Sequence, residues 1–480
     1  MKYLFYVQAI FEMDNPKVYT NYVGIFKDYI VNLLNRFPDT EVTVVMGESA
    51  YYCGVDIPGN VIIVTQNEML CDGKYDCQEV LRSYYRYCHD RTIEPEYMDY
   101  HCNLLRTKID IIPDVIITKD NAPYLEKLYP EALMLYTEVG FISRRPFPKT
   151  MYFDKIGLNC SSYLSRYWDD ISKEIVMSDS DKNLLRELKL KIKTELEKSS
   201  PYAELFRKYR EKYSSIWLLP LQFSRFSNID GEIKQNSQLD IILYVLDHLP
   251  GDVGLIVSTH PDFNVLTPNV IWYLRRKYEN FIYDASFYEY ASSSQYIMSF
   301  IDGVINISSS VGLQTMFWDI PCVQIGEYFA KCIARRFNDD DCLTPLSFME
   351  KEQNDKVLYW LLTRYVVLPE YYTDPEWLQN YFLSLKSNGS YPMIDDAGLI
   401  LKKLISCIDA EGLPERSRVD KAKKYYDLLT AASNLYFGGK RLSDKLKKRE
   451  FLIYGKSSLA YLLEMEVNSD KELSDYYRMV

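Results

Sequence analysis

Between residues 215 and 325, short apolar runs alternate with longer segments of helical spacing. The runs are "SIWLLPL", "VGLIV", "GVINI" and "CVQI", and each has the length of a buried strand. The intervening segments, such as 239–249 and 312–318, repeat apolar residues every three or four positions. Such alternation restricts the chain to a parallel sheet covered by helices. We therefore predict a Rossmann-like domain in the second half of the chain.

The first third of the chain repeats this alternation. Strands are predicted over 3–9, 41–46, 60–65, 110–118 and 132–137, and a long helix over 19–37. Between 172 and 213 the composition shifts to Lys, Glu and Leu, which predicts exposed helices that join two domains. We predict an α/β protein with a first Rossmann-like domain over 1–205, a second over 206–400 and a helical segment over 401–480.

Composition narrows the class of function. The net charge of −11 over 480 residues argues against a nucleic-acid partner, which requires a basic surface. The ten cysteines contain no CxxC pair, so we expect reduced thiols in a cytoplasmic protein. The triplet Asp179-Ser180-Asp181 resembles a metal-binding DxD motif, but acidic residues at a helix start explain it better. We expect no metal.

A basic segment lies near the end of the chain. Residues 440–456 contain seven Lys or Arg and two Asp or Glu, interleaved with apolar residues. Two alternatives fit this pattern: a closing helix packed on the body of the protein, or contact with a membrane surface. The second alternative would place the protein at the inner face of the cytoplasmic membrane. No apolar run reaches the roughly 18 to 20 residues that span a bilayer.

Polar residues follow three of the predicted strands in the second half. Gln222 follows "LLPL", the stretch 258–261 ("STHP") follows "LIV", and the three serines 308–310 follow "VINI". In doubly wound sheets, ligands bind beyond the carboxyl ends of the strands. The chain contains neither GxGxxG nor GxxxxGK[ST], so neither a dinucleotide site nor a P-loop is indicated. We predict one ligand site formed by these three strand ends.

The serine cluster favours a phosphate group. Ser308, Ser309 and Ser310 precede a predicted helix, whose first N–H groups attract anions, and Gly312 would allow close approach to the backbone. An ordinary N-cap is the alternative. His260 is predicted to donate a hydrogen bond to the same phosphate or to protonate it as it leaves.

Several motifs together resemble a known family. "LLPLQ", "DGEIKQNS", "STHP" and "SSSVGLQTMFWDIPCVQIG", within residues 215–330, resemble the bacterial capsule-polysaccharide synthesis family, which includes retaining β-Kdo transferases. "YTEVGFISRRPFPKTMYFD" (136–154) resembles a segment that recurs in the same group. The HP and SS motifs are also similar to those of bacterial sialyltransferases. The resemblance implies a GT-B glycosyltransferase, in which two Rossmann-like domains face each other across the active-site cleft.

The resemblance also implies a donor and a nucleophile. The donor would be a CMP-activated acidic keto-sugar, Kdo foremost, and the acceptor a lipid-linked or oligosaccharide surface glycan. Asp230 would attack the anomeric carbon, with His260 beside it. Spacing from Ile233 and Ser237 supports Asp230, whereas the family's aspartate usually follows the glutamine by about four residues, where Phe226 stands. The CMP-sugar is a co-substrate, so no cofactor is expected.

Further roles follow from the same resemblance. Glu138 would serve as acid or base across the cleft, with a helix start or a salt bridge as the alternative role. Arg144 and Arg145 would bind the acceptor or the sugar carboxylate. Gln222 and Gln314 would contact the nucleotide, and Gln314 stands where a glutamate is common in GT-B enzymes.

Two alternative functions share this predicted fold. In an inverting transferase of the CMP-sialic-acid type, Asp230 would deprotonate the acceptor instead of attacking the donor. In a non-catalytic module, the cleft would bind glycan without transfer. The imperfect spacing around Asp230 is the feature that supports this last alternative.

Overall fold

The structure is a computed structural model. It describes residues 1–7, 16–47, 51, 56–75, 92–221, 235, 237–259, 265–266, 268–288, 290, 292–326, 332–337, 351–387 and 389–408. Over these residues the chain forms two α/β domains, each built on a largely parallel six-stranded sheet, followed by C-terminal helices. The predicted fold class, a GT-B arrangement of two Rossmann-like domains, is confirmed.

The first sheet has the strand order β3-β2-β1-β4-β5-β6. Its strands are β1 (Lys2–Tyr6), β2 (Glu41–Gly47), β3 (Asn60–Val64), β4 (Val115–Thr118), β5 (Leu133–Val139) and β6 (Met151–Asp154). All neighbours pair in parallel except β5 and β6, which are antiparallel. The strand predicted from residue 110 begins only at Val115, because Pro113 cannot donate a ladder hydrogen bond.

Seven helices of this half are described. They are α1 (Pro16–Arg36), α2 (Gln66–Met69), α3 (Pro95–Lys108), α4 (Pro123–Leu128), α5 (Tyr163–Glu174), α6 (Asp179–Lys198) and α7 (Ala203–Lys212). Ser178 caps α6 by accepting a hydrogen bond from the Asp181 N–H group, as the helix-start interpretation of the acidic triplet expects. The prediction that α6 is an exposed connection was wrong in part. One side of it, which includes Leu188 and Ile192, is buried.

The second sheet is entirely parallel, in the order β12-β11-β10-β7-β8-β9. Its strands are β7 (Ser215–Pro220), β8 (Val253–Ser258), β9 (Phe281–Ile282), β10 (Gly303–Asn306), β11 (Cys322–Gln324) and β12 (Arg335–Arg336). The helices between them are α8 (Gln238–His248), α9 (Pro268–Lys277), α10 (Ser293–Ile297) and α11 (Val311–Trp318). The predicted alternation is therefore present, and the apolar runs form the buried strands of the sheet.

The C-terminal helices return to the first domain. They are α12 (Lys351–Trp360), which continues as a π-helix (Leu361–Tyr365), α13 (Pro369–Tyr372), α14 (Pro375–Ser387) and α15 (Ala397–Ile408). Val367 exchanges backbone hydrogen bonds with Met151 of β6, and the ring of Phe382 lies 5.0 Å from that of Phe153. The division of the chain at residues 205 and 400 stays a prediction. Within the described ranges, no helix is long and apolar enough to cross a membrane.

Asp154 joins the first sheet to these returning helices. Its fully buried carboxylate accepts hydrogen bonds from the N–H groups of Ile156 (2.7 Å), Gly157 (3.1 Å) and Tyr163 (2.8 Å), and from the Tyr365 hydroxyl (2.7 Å). Burial raises the pKa of Asp154 to about 6, and the four hydrogen bonds oppose this rise. The carboxylate therefore satisfies four donors at the junction of two parts of the chain.

Replacement of this carboxylate should weaken the whole first domain. We expect Asp154→Ala to lower the free energy of unfolding by about 3 kcal/mol, because four donors lose their acceptor in a buried site. Thermal unfolding checks this result. Asp170→Ala is the control, since that carboxylate is 72% exposed and pairs with Lys173 on the same helix. Equal melting temperatures for the two variants would contradict the assigned role of Asp154.

Candidate functional site

Three strands of the second sheet end side by side. β7 lies between β8 and β10, with Pro220 opposite Ser258 and Val304 opposite Leu218. The strand order reverses between β7 and β10, which is where doubly wound sheets bind ligands. The segments that follow these strands therefore emerge at one edge, as the sequence predicted. Gln222, Asp230 and His260 themselves lie outside the described residues.

Two buried amides fix the turn from β10 to α11. The Asn306 side chain accepts a hydrogen bond from the Ser309 N–H group (3.1 Å) and donates one to Gln324 Oε1 (3.1 Å). Gln324 Nε2 in turn donates to the carbonyls of Ile307 and Ile325. Because both amides are buried and bonded at both ends, the turn is held in one conformation.

The predicted phosphate-binding serines differ in their surroundings. Ser309 closes the turn: its hydroxyl accepts the Val311 N–H group (3.3 Å) and its carbonyl accepts that of Gly312 (3.1 Å). These two N–H groups are therefore less available to an anion than the sequence suggested. Ser308 is 5% exposed, and its hydroxyl has no hydrogen-bond partner among the described residues. Such a buried hydroxyl is a group that a ligand would satisfy.

Close packing against Asn306 explains why position 312 is a glycine, which the sequence alone did not reveal. A Cβ atom at this position would lie 2.5 Å from Asn306 Nδ2 and 2.7 Å from Asn306 Cγ. The glycine therefore allows α11 to pack closely on β10 and on its fixed amide. Its predicted role in phosphate approach stays a prediction.

Gln314 joins the two domains. Its Nε2 atom donates to the carbonyl of Phe141 (2.5 Å), and its Oε1 atom accepts from Gln295. The rings of Phe141 and Phe147 lie 6.1 and 5.9 Å from that of Phe317 on α11. The β5–β6 loop (residues 140–150) thus docks on α11. The sequence assigned Gln314 to the nucleotide, and this role stays a prediction, but both ends of its amide are bonded within the protein.

The first domain contributes Glu138, near the carboxyl end of β5. Its Oε1 atom accepts hydrogen bonds from Lys119 Nζ (3.0 Å) and from the Val139 N–H group (2.8 Å). A salt bridge was one of the alternative roles predicted for Glu138, and it is present. Lys119 was missed, although a lysine directly after the buried run "VIIT" was the available signal. Burial lowers the pKa of Lys119, and the charge of Glu138 opposes this shift.

Two further cations surround the same carboxylate. Arg144 and Lys149, both exposed in the β5–β6 loop, interact electrostatically with Glu138. Arg145 follows in the loop and precedes Pro146 through a cis peptide bond. Glu138, near the end of β5, and Arg144, in the loop that contacts α11, are thus brought together. Asp120 acts on Lys119 and Asp28 acts on Lys149, so carboxylates offset part of this positive charge.

The described residues contain no group of three His, Cys, Asp or Glu side chains that could hold a metal ion. The described residues that bear on ligand binding are Ser308, before α11, and Glu138, in β5. The predicted nucleophile belongs to the segment that follows β7, outside the described residues.

Comparisons with known proteins give weak likenesses. No protein-family model and no curated protein sequence matches the chain. KpsC of Thermosulfurimonas dismutans, a beta Kdo 2,7 transferase, is 14% identical over 84% of this chain and 99% of its own, with a TM-score of 0.40. The KpsC beta Kdo 2,4 transferase is 14% identical over 68% and 96%, with a TM-score of 0.37. UDP-GlcNAc 2-epimerase from Neisseria meningitidis is 12% identical over 86% and 100%, with a TM-score of 0.24.

The packing at Gly312 can be tested directly. We expect Gly312→Ala to destabilise the protein by about 2 kcal/mol, because hydrogen bonds prevent the Asn306 side chain from moving aside. Gly24→Ala, in α1, is the control, since no described atom beyond its neighbours and its own helix backbone lies within 4 Å of the added Cβ. Thermal unfolding compares the two. A Gly312→Ala variant as stable as Gly24→Ala would show that the turn is not held as described.

Proposed function

We propose that this protein is a glycosyltransferase that moves an acidic keto-sugar, Kdo foremost, from a CMP-sugar to a bacterial surface glycan. The observation that carries the proposal is the convergence of three strand ends at the point where the second sheet reverses its order. The sequence motifs that support a CMP-sugar donor follow those same three strands.

The phosphate of the donor would bind at the start of α11. The Ser308 hydroxyl supplies a hydrogen-bond donor without a partner among the described residues, and the amino end of α11 supplies positive dipole. β8 ends at Ser258 beside β7, and His260 follows two residues later. We propose that His260 reaches the same phosphate from this side and donates a hydrogen bond as CMP leaves.

The sugar would pass through a covalent intermediate. The Asp230 carboxylate attacks the anomeric carbon while the bond to the CMP phosphate breaks and its electron pair leaves with the phosphate. The acceptor hydroxyl then attacks the same carbon and displaces Asp230. Its proton passes to Glu138. Two displacements at one carbon restore the original configuration, so the transfer retains it.

The acceptor would lie against the first domain. Arg144 and Arg145 are in the β5–β6 loop, close in sequence to Glu138, where they would bind an anionic group of the acceptor or the sugar carboxylate. A lipid-linked acceptor would place the protein at a membrane surface. The basic segment 440–456, proposed for that contact, lies outside the described residues.

Ligand-induced stabilisation tests the donor. At a CMP concentration of 100 times the Kd, we expect about 2.7 kcal/mol of stabilisation, and none with UDP or GDP. Ser308→Ala should weaken CMP binding about tenfold, because a hydrogen bond to a charged phosphate is lost. Ser406→Ala, at an exposed serine on α15, is the matched control. Stabilisation by UDP and not by CMP would overturn the donor assignment.

Trapping of the intermediate tests the nucleophile. With CMP-Kdo, we expect Asp230→Ala to abolish sugar transfer and the wild type to carry a sugar adduct on Asp230 in mass spectra. Asp39→Ala, an exposed carboxylate, should retain transfer. A product of inverted configuration without any adduct would favour Asp230 as general base. No consumption of any CMP-sugar would favour a glycan-binding module.

A further inference from the structure

Lys119 is a buried cation at the carboxyl edge of the first sheet. It follows Thr118, the last residue of β4, and its side chain is 0% exposed. β4 pairs in parallel with β5, and Thr118 lies opposite Tyr136. Lys119 and Glu138 therefore lie close together at the same edge of the sheet. Their Nζ and Oε1 atoms are 3.0 Å apart. This pair therefore lies at the ligand-binding end of the sheet.

Stability alone does not explain such a pair. Removal of an ammonium group from water costs several kcal/mol, and a buried ion pair often stabilises a fold no more than apolar residues of similar size. The pair is better explained by what Lys119 does to Glu138.

The geometry restricts Glu138 to one orientation. Its Oε1 atom accepts two hydrogen bonds, from Lys119 Nζ and from the Val139 N–H group at 2.8 Å. The Glu138 side chain is nevertheless 28% exposed, so it can be reached from outside. The other charged groups that act on the pair are Asp120, next to Lys119, and Arg144 and Lys149 in the β5–β6 loop.

We propose that Lys119 is a positioning residue that holds the Glu138 carboxylate in place to accept the proton of the attacking hydroxyl. This inference rests on the proposed function. In the step concerned, the hydroxyl oxygen bonds to the anomeric carbon and its proton moves to Glu138. Lys119 keeps its own protons throughout, so its contribution is orientation and charge.

The test compares the steady-state kinetics of CMP release from CMP-Kdo, with water as acceptor. We expect Lys119→Met to lower kcat about tenfold to a hundredfold and to lower KM for CMP-Kdo in proportion, because only the second displacement, after CMP has left, is slowed. Lys127→Met is the matched control, since Lys127 pairs with Asp99 on the surface and is 54% exposed. This variant should keep the wild-type kcat and KM.

A double variant separates positioning from a structural role. If Lys119 acts through Glu138, adding Lys119→Met to Glu138→Gln should cause no further loss of kcat. Lys119→Gln, whose amide can still donate to the carboxylate, should retain more activity than Lys119→Met. If Lys119→Met does not fold, Lys119→Gln takes its place in the test. Losses that add, or a kcat/KM for CMP-Kdo that falls with kcat in Lys119→Met, would overturn the inference alone. Absence of CMP release by the wild type would instead overturn the proposed function, and this inference with it.

Discussion

The hydrogen bond from Gln314 to the Phe141 carbonyl lies where the two domains meet. Both residues are buried, and Gln295 holds the far side of the amide, so the donor points in one direction. Phe141 follows Glu138 by three residues, and Gln314 lies one helical turn beyond Ser310. This contact therefore links the carboxylate of the first domain to the serine turn of the second. Any proposed chemistry that uses both depends on it.

Helix α11 can hold the serine turn next to the first domain because it is fixed at both ends. At its start, Gly312 packs on the Asn306 amide, which also bonds Ser309 and Gln324. At its end, Asp319 adopts a left-handed conformation and pairs with Lys189 of α6, which also pairs with Asp355 at 2.7 Å. The helix thus connects the second sheet, the long helix α6 and the returning C-terminal helices. A ligand at its amino end would bind to a rigid element.

The sequence predicted those features that depend on local pattern. The strands and helices between 215 and 325 follow from their periodicity, and the shared edge of "LLPL", "LIV" and "VINI" follows from the general rule for parallel sheets. Features that depend on distant partners were missed. β6 pairs antiparallel with β5 only because the β5–β6 loop turns back, and α14 packs on the first domain across more than 200 residues of sequence.

The residues of the candidate site also divide into those that the sequence predicted and those that it missed. The serines that follow a predicted strand can be recognised in the sequence. Glu138 was also chosen from the sequence, and a salt bridge was one of the roles considered for it. The identity of its partner was not visible, because Lys119 is 19 residues away and meets Glu138 only through strand pairing. Gly312 and Gln314 illustrate the opposite case. Both were assigned to a nucleotide, whereas the contacts observed for them are with Asn306 and with the first domain.

A crystal structure of the protein with CMP would test the central claim most directly. The nucleotide should lie between the ends of β7 and β10, with a phosphate oxygen about 3 Å from the Ser308 hydroxyl. CMP bound elsewhere, or in that crevice with the Ser308 hydroxyl still without a partner, would contradict the claim that this turn is a phosphate site.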